Sequence, residues 1–204
     1  VQGLGVLARR YQIPIYATQG TIRAIVECGK LGKFPEGIFH EIREDEAFTL
    51  GDMDIFPFAI SHDAAQPVGY RMEHDGHAVA VATDLGIYDS YIVEHLRGLD
   101  AVLLEANHDE KLLEVGSYPY PLKRRIAGAK GHLSNTMAGQ LLCEILHDNL
   151  KEVLLGHLSK ENNYEALAYE TVAAEVTTGD NPYRSTDFHL SVAKRSEVSP
   201  MIEV

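Results

Sequence analysis

Three polar side chains follow apolar segments that are typical of buried strands. His62 comes directly after "FPFAIS", Asp84 after "AVAVAT", and His157 after "EVLLG". Loops at strand ends hold side chains on a rigid scaffold, and two imidazoles with one carboxylate are ligands suited to Zn²⁺, Mn²⁺ or Fe. The two oxygens of a carboxylate can also bridge two metal ions. Taken singly, each histidine is more typical of a hydrogen-bonded residue at a sheet rim, so the metal-site hypothesis rests on the three occurring together.

A carboxylate and a further histidine stand at the two ends of a second segment. Glu105 ends the apolar strand "VLLE", and His132 precedes a helix for which Ser134 or Asn135 is the predicted cap. A carboxylate that accepts an imidazole N–H fixes the tautomer of the ring and favours its protonated form. The pair therefore predicts a histidine that donates a proton to a leaving oxygen.

The segment between Glu105 and His132 is rich in positive charge. Gly116 to Asn135 contains no acidic residue. Its basic residues are Lys123, Arg124, Arg125 and Lys130. A solvated basic loop is the simpler interpretation of the charge alone. Because the segment lies between the proposed proton donor and its carboxylate, we predict instead that it contacts phosphate groups of a substrate.

The residues around these positions alternate between strand and helix patterns. Apolar or alternating strands are predicted within 13–17, 39–44, 46–51, 53–61, 100–106, 150–159 and 187–194, with a hairpin over 68–84 that turns at Asp75-Gly76. Amphipathic helices are predicted within 3–12, 18–29, 88–98, 133–148 and 163–176, the second of them capped by Thr18. Helices that alternate with both hairpins and single strands favour a layered α/β sandwich with mixed sheets.

The composition sets limits on the kind of protein. The 204 residues are enough for a buried core, and the net charge of −12 excludes nonspecific nucleic-acid binding by bulk attraction. A phosphate-bearing substrate would need a local basic patch or bound cations. No run is long enough to span a membrane. Cys28 and Cys143 lie in apolar helical patterns and are predicted to be reduced core thiols, so we expect a cytoplasmic protein.

The ordered motifs "AISHDAAQPVGY", "VATDLG", "LLEANHD", "KGHLSN" and "LGHLSKENN" resemble the metallo-β-lactamase superfamily, most closely its YycJ (WalJ) branch. The resemblance implies an αββα sandwich with a site for two divalent metal ions, Zn or Mn, on one edge. It implies His62 as a ligand of the first ion, His157 as a ligand of the second, and Asp84 as the bridging carboxylate. Glu105 and His132 are similar to the orienting carboxylate and proton donor of tRNase Z relatives.

The resemblance also implies an activity and its partners. It implies a nuclease-type phosphodiesterase, and DNA ends are the expected substrate ahead of RNA. The oligomeric state stays open. Two alternatives use the same residues: a hydrolase of a lactam or thioester, which would need neither the basic segment nor the Glu105 and His132 pair, and a non-catalytic fragment that lacks its metal half.

One hallmark of the superfamily, an HxHxDH motif, does not occur in this sequence. In relatives it precedes a helix like "VQGLGVLARRY". We therefore expect 1–204 to be a single, N-terminally incomplete metallo-β-lactamase-like domain without the leading strands of its first sheet. About half of the ligands of a two-metal site would then remain, so the chain alone should bind metal poorly.

Overall fold

The computed structural model describes residues 3–204. Its helices are α1 (Leu4–Tyr11), α2 (Gln19–Glu27), α3 (Ser90–Leu96), α4 (Glu110–Val115), α5 (Tyr120–Ile126), α6 (Asn135–Ile145) and α7 (Glu165–Thr178). Its strands are β1 (Ile15–Thr18), β2 (Phe39–Ile42), β3 (Phe48–Leu50), β4 (Met53–Ala59), β5 (Val68–His74), β6 (His77–Ala82), β7 (Ala101–Glu105), β8 (Glu152–Gly156) and β9 (His189–Val192).

The main sheet is mixed. Its seven strands lie in the order β3-β4-β5-β6-β7-β8-β9, antiparallel from β3 to β6 and parallel from β6 to β9. A separate two-stranded parallel sheet joins β1 and β2. Because β6, β7 and β8 run in the same direction, their carboxyl ends meet at one edge of the sheet, where α/β proteins commonly bind ligands.

Local sequence explains where several elements begin. A side-chain oxygen accepts a backbone N–H of the first helical turn at Thr18, Asp89, Asp109 and Ser134. Such caps satisfy backbone donors that have no partner within the helix. Asp75 and Gly76 turn between β5 and β6 with φ of 48° and 83°, the positive values that a tight hairpin turn requires. The predicted caps at Thr18 and Ser134 and the predicted hairpin are confirmed.

The core lies between one face of the main sheet and helices α3, α6 and α7. Side chains along β6 alternate, with Ala78, Ala80 and Ala82 buried and the residues between them only half-buried. Leu104 of β7 and Leu155 of β8 are fully buried in the same apolar cluster. Each fully buried aliphatic side chain contributes roughly 1.5–3 kcal/mol, so this cluster fixes the strands whose ends carry the candidate site.

The opposite end of the parallel strands is held by Asp100. Its carboxylate accepts the Ala78 N–H at 2.9 Å and lies 3.2 Å from Nδ1 of His77 and 3.4 Å from Nζ of Lys151. Burial would raise the pKa of Asp100, but the hydrogen bonds from Ala78, His77 and Lys151 together lower it. The carboxylate therefore links the starts of β6, β7 and β8.

The structure differs from the sequence analysis at two points. Part of the basic segment is helical, because Lys123 to Arg125 lie on α5, whose first turn tolerates the prolines around Tyr120. Cys28 is exposed at the end of α2 rather than buried, although both it and Cys143 are free thiols. A further short helix, α4, was not predicted.

Over residues 3–204, no helix combines the length and the apolar character needed to cross a bilayer.

Candidate metal centre

The sheet edge brings together the five candidate residues named from the sequence. Asp84, Glu105 and His157 lie at the carboxyl ends of the neighbouring parallel strands β6, β7 and β8. His62 follows β4, and His132 lies in the segment that leads into α6. The ring centroid of His132 lies 5.0 Å from that of His62 and 5.2 Å from that of His157.

Glu105 is the fully buried centre of this group. Its Oε1 accepts hydrogen bonds from Nδ1 of His132 at 2.8 Å and from Nδ1 of His157 at 2.6 Å. Its Oε2 accepts the backbone N–H of Leu85 at 2.8 Å and of Leu133 at 3.2 Å. The sequence predicted one oriented histidine, whereas the structure shows that the carboxylate orients two.

The charge of Glu105 is set by these contacts. Burial would raise the pKa of the Glu105 carboxyl, but hydrogen bonds from His132, His157 and the Leu85 N–H outweigh it and lower the pKa. The same hydrogen bond raises the pKa of His157, because its protonated form gains a buried carboxylate partner. With Nδ1 of each ring directed at Glu105, Nε2 is the ring nitrogen left for a ligand or a proton transfer.

Asp84 lies between the imidazoles. Its Oδ1 is 3.5 Å from Nε2 of His62, 3.6 Å from Nδ1 of His132 and 3.8 Å from Nε2 of His157. Two atoms bound to one tetrahedral ion at about 2.1 Å lie about 3.4 Å apart, so the separations of Oδ1 from the Nε2 atoms of His62 and His157 suit ligands that share an ion. Nδ1 of His132 is held by Glu105 and is not available as a ligand.

A group of possible ligand atoms from Asp84, Glu105, His132 and His157 lies within a mutual distance of 4.8 Å. Both oxygens of Glu105 already accept hydrogen bonds, so its place in this group is better explained by orientation of the imidazoles. The imidazole and carboxylate donors fit a divalent ion such as Zn²⁺ or Mn²⁺.

The backbone is strained at two of these residues. Asp84 has φ of 60° and His157 has φ of 57°, values that residues other than glycine seldom adopt. The side-chain amide of Asn107 donates to the carbonyl of His157 at 2.8 Å and supports that conformation. Such strain is typical of residues whose position matters more than their local stability.

His62 is oriented by the chain that leads to His132. Its Nδ1 lies 3.0 Å from the carbonyl oxygen of Gly131, which leaves Nε2 toward Asp84. The neighbouring Asp63 holds Arg125 through two contacts, Nε to Oδ2 at 2.5 Å and Nη2 to Oδ1 at 2.9 Å. That guanidinium lowers the pKa of the Asp63 carboxyl.

Comparison with known proteins identifies the family. A family model described as a beta-lactamase superfamily domain matches residues 1–157. The chain belongs to this superfamily. A Streptococcus pneumoniae protein named Exodeoxyribonuclease WalJ is 35% identical over 204 residues, which is 100% of this chain and 76% of that protein. A Bacillus anthracis protein named Exodeoxyribonuclease YycJ is 34% identical over 173 residues, which is 85% of this chain and 65% of that protein.

Two solved structures share the fold. The metallo-β-lactamase fold protein YhfI from Bacillus subtilis aligns with a TM-score of 0.62 and 19% identity, over 94% of this chain and 69% of that one. Zn²⁺-bound PqqB from Methylobacterium extorquens aligns with a TM-score of 0.60 and 16% identity, over 93% of this chain and 66% of that one. The predicted superfamily, its YycJ (WalJ) branch and the mixed α/β fold are confirmed.

Of the four predicted substrate-binding residues, only one lines a cavity at the candidate site. Arg125 lines a cavity of about 850 Å³ that begins at His132 and His157. Lys123 instead donates to the carbonyl of Glu114 at 2.6 Å, the Arg124 guanidinium lies 6.0 Å from the Tyr120 ring, and Lys130 is exposed outside the cavity. Their contact with a substrate stays a prediction.

Sequence reasoning missed the other walls of this cavity. Residues between His157 and Ala166 form one wall, and Ala193 to Arg195 form another. Buried Asn163 supports the first wall, since its amide donates to the carbonyls of Ala106 and Asn107 at 2.9 and 3.1 Å. The superfamily-like motif "LGHLSKENN" contains this asparagine and could have directed attention to it.

His108 lies close to the site in sequence and is buried, and burial lowers its pKa. Within residues 3–204, its Nδ1 has no hydrogen-bond partner, and the ring is not hydrogen-bonded to Glu105.

Proposed function

We propose that this protein is a metal-dependent exonuclease that cleaves phosphodiester bonds at DNA ends, using two divalent ions, Zn or Mn. The observation that carries the proposal is the buried Glu105, which orients His132 and His157 toward the carboxylate of Asp84. The names of relatives at 34–35% identity support a DNA substrate. A DNA substrate also agrees with the predicted cytoplasmic location.

The residues that would hold the ions are His62, Asp84 and His157. Asp84 is proposed as the carboxylate that would serve both ions, and its Oδ1 lies 3.5 Å from Nε2 of His62 and 3.8 Å from Nε2 of His157. The chemistry that such ions supply when bound is acidification of a water molecule and neutralisation of charge on phosphate oxygens.

His132 is proposed to act as the proton donor to the leaving oxygen. Its Nδ1 is held by Glu105 at 2.8 Å, so the ring cannot turn away and Nε2 carries the proton to be transferred. The buried carboxylate also fixes the tautomer of the ring. A positioned general acid of this kind contributes roughly 10²–10⁴ in rate.

Phosphate binding is proposed for the basic residues near the site. Arg125 is fixed beside His62 by Asp63 and lines the cavity, so it is the best placed of the four. Lys123, Arg124 and Lys130 would contact phosphates farther along a strand. Such contacts would give an acidic protein the local positive charge that a nucleic acid requires.

Hydrolysis of a lactam or thioester is less well supported. The basic residues and the Glu105 and His132 pair would have no purpose in it, and the relatives above are named exodeoxyribonucleases. If the protein were non-catalytic, the hydrolysis assay described next would detect no cleavage of any substrate.

The experiment measures hydrolysis of single-stranded DNA, duplex DNA, RNA and a chromogenic lactam by the purified full-length protein with Zn²⁺ or Mn²⁺. DNA should be cleaved, and Asp84→Ala should abolish cleavage and lower the metal content. The control is Asp52→Ala, which removes an exposed carboxylate far from the candidate ligands. Cleavage of the lactam alone, or unchanged metal content and rate in Asp84→Ala, would contradict the proposal.

A further inference from the structure

The cavity beside the candidate metal centre is built from three separate parts of the chain. Leu122, Arg125 and Ile126 of α5 form one side, the segment after β8 forms the second, and the segment after β9 forms the third. His132 and His157 contribute to the lining, so the cavity opens directly onto the candidate catalytic groups. A molecule bound there would be adjacent to the bond that is cleaved.

The charge of the lining is positive although the protein is acidic. Four basic residues line the cavity against a single acidic one, Glu165. Arg125 is neutralised by Asp63, and Nζ of Lys194 lies 2.8 Å from Oε2 of Glu197.

Two cations remain without an acidic partner within residues 3–204. Nη2 of Arg195 donates to the carbonyl of Leu158 at 2.6 Å, which fixes its guanidinium beside His157, and Lys160 is exposed at the opening. In a chain with a net charge of −12, this is where an anionic group would be attracted.

Aromatic and apolar surface lies beside these charges. Tyr164 is 58% exposed, yet its backbone is anchored, because its N–H donates to Oδ1 of Asn163 at 3.0 Å and its carbonyl accepts the Ala168 N–H at 3.1 Å. Tyr118 of the segment before α5 also lines the cavity. An exposed aromatic ring on an anchored backbone presents a face on which a base can stack.

The size of the cavity limits what enters it. Its volume of about 850 Å³ lies within the roughly 300–1,000 Å³ that is usual for small-molecule sites. That space suits one unstacked nucleotide or two, and it does not suit a base-paired duplex.

We propose that this cavity binds the unpaired terminal nucleotide of a DNA strand, with the base stacked on Tyr164 and phosphates contacted by Lys160 and Arg195. The proposal rests on the proposed function for the identity of the strand. It implies that single-stranded or frayed ends are the preferred substrates and that base identity matters little, because every base presents a face for stacking.

The test measures binding rather than cleavage. Fluorescent oligo-dT, a blunt duplex and the same duplex with an unpaired oligo-dT overhang are titrated into Asp84→Ala protein by fluorescence anisotropy. A second substitution is then added to this background: Tyr164→Ala, Tyr164→Phe, Lys160→Ala or Arg195→Ala. The matched controls are Tyr11→Ala and Lys30→Ala, exposed residues that do not line the cavity.

Tyr164→Ala should weaken binding of oligo-dT and of the overhang by about fivefold to a hundredfold, the range for loss of one base–aromatic stack. Tyr164→Phe should restore binding, because stacking does not need the hydroxyl. Lys160→Ala and Arg195→Ala should each reduce the slope of log affinity against log salt by about 0.7. The controls should bind like the background protein, and circular dichroism should show that all variants are folded.

Equal affinities of the Tyr164→Ala and Tyr11→Ala proteins would overturn the proposal, and so would equal sensitivity of the blunt duplex to Tyr164→Ala. These outcomes are separate from failure of the proposed function. If the protein with Asp84 intact cleaves no DNA, the nuclease proposal fails whatever the binding shows. If it cleaves DNA but binding ignores Tyr164, only the nucleotide cavity is wrong.

Discussion

Replacement of Glu105 by glutamine tests the central geometric feature of the site. The carboxylate accepts four hydrogen bonds, two from imidazoles at Oε1 and two from backbone N–H groups at Oε2. Glutamine has the same shape but presents one acceptor oxygen and one NH₂ donor. Whichever way the amide turns, its NH₂ faces two groups that now donate. The substitution therefore removes half of the contacts without creating a cavity.

The expected magnitude follows from these contacts. A hydrogen bond to a charged group contributes roughly 1.5–3 kcal/mol, so loss of two should lower the free energy of unfolding by about 3–6 kcal/mol. A change of tautomer in His132 and His157 that restores partners for the NH₂ would reduce the loss below this range. Loss of orientation at His157 should also weaken metal binding by about 10- to 100-fold, the usual effect of removing a group that orients a ligand.

The assay combines urea denaturation without metal and titration with Zn²⁺ or Mn²⁺. Glu94→Gln is the control, because Glu94 forms an exposed ion pair with Arg97 whose loss should cost less than about 1 kcal/mol. If Glu105→Gln and Glu94→Gln proteins unfold at the same urea concentration and bind metal equally, the carboxylate does not organise the two imidazoles.

Three further predictions follow from single contacts. His132→Ala should lower the rate of DNA cleavage by roughly 10²–10⁴, with much of the loss recovered on a nitrophenyl phosphodiester that needs little protonation; an equal defect on both substrates would exclude proton donation. The pKa of Asp100 is lowered in the folded state, so its stabilising contribution is present above the unfolded value of 3.8 and is lost as the pH falls through the folded value. Denaturation of wild type and Asp100→Asn should thus differ at pH 7, and the difference should shrink progressively as the pH falls below 3.8; a constant difference would contradict this. Gly86→Ala should reduce activity although it changes no candidate ligand, because its Cβ would lie 2.4 Å from the carbonyl oxygen of Ala129; rates and unfolding equal to wild type would show that the loops can separate freely.

Much of the fold was predictable because it is encoded locally. The Asp75-Gly76 turn, the cap at Thr18 and the alternation along β6 each depend on a few adjacent residues. The same holds for candidate ligands, since a polar residue directly after a buried strand must lie at the sheet edge. His62, Asp84 and His157 were recognisable for this reason.

Helix α5 was missed because its local signals are weak. It has only seven residues, with prolines at its start and a run of basic residues that also suits a solvated loop. Pro119 and Pro121 were poor evidence against a helix, because proline is tolerated in the first turn, where backbone N–H groups lack partners in any case.

The double role of Glu105 depends on strand register, which the sequence does not specify. In the parallel pairing of β7 with β8, Glu105 lies opposite Gly156, so His157 follows one residue beyond the carboxylate. Both strands are nearly continuous apolar runs, and such runs give no alternation from which a register could be inferred. A contact between residues 52 positions apart therefore became visible only once the strands were paired.

The remaining determinant of the site is contact between backbones. Nδ1 of His62 lies 3.0 Å from the Gly131 carbonyl oxygen, and that segment packs so closely on Gly86 that a β-carbon at residue 86 would lie 2.4 Å from the Gly131 nitrogen. The loop after β6 carries Asp84 and packs against the segment around Gly131. This contact fixes the position of the segment that orients His62 and leads to His132. Side-chain chemistry identifies the groups that react, but their separation is fixed by glycines that have no chemistry of their own. For this reason the sequence predicted which residues belong to the site but not the distances between their side chains.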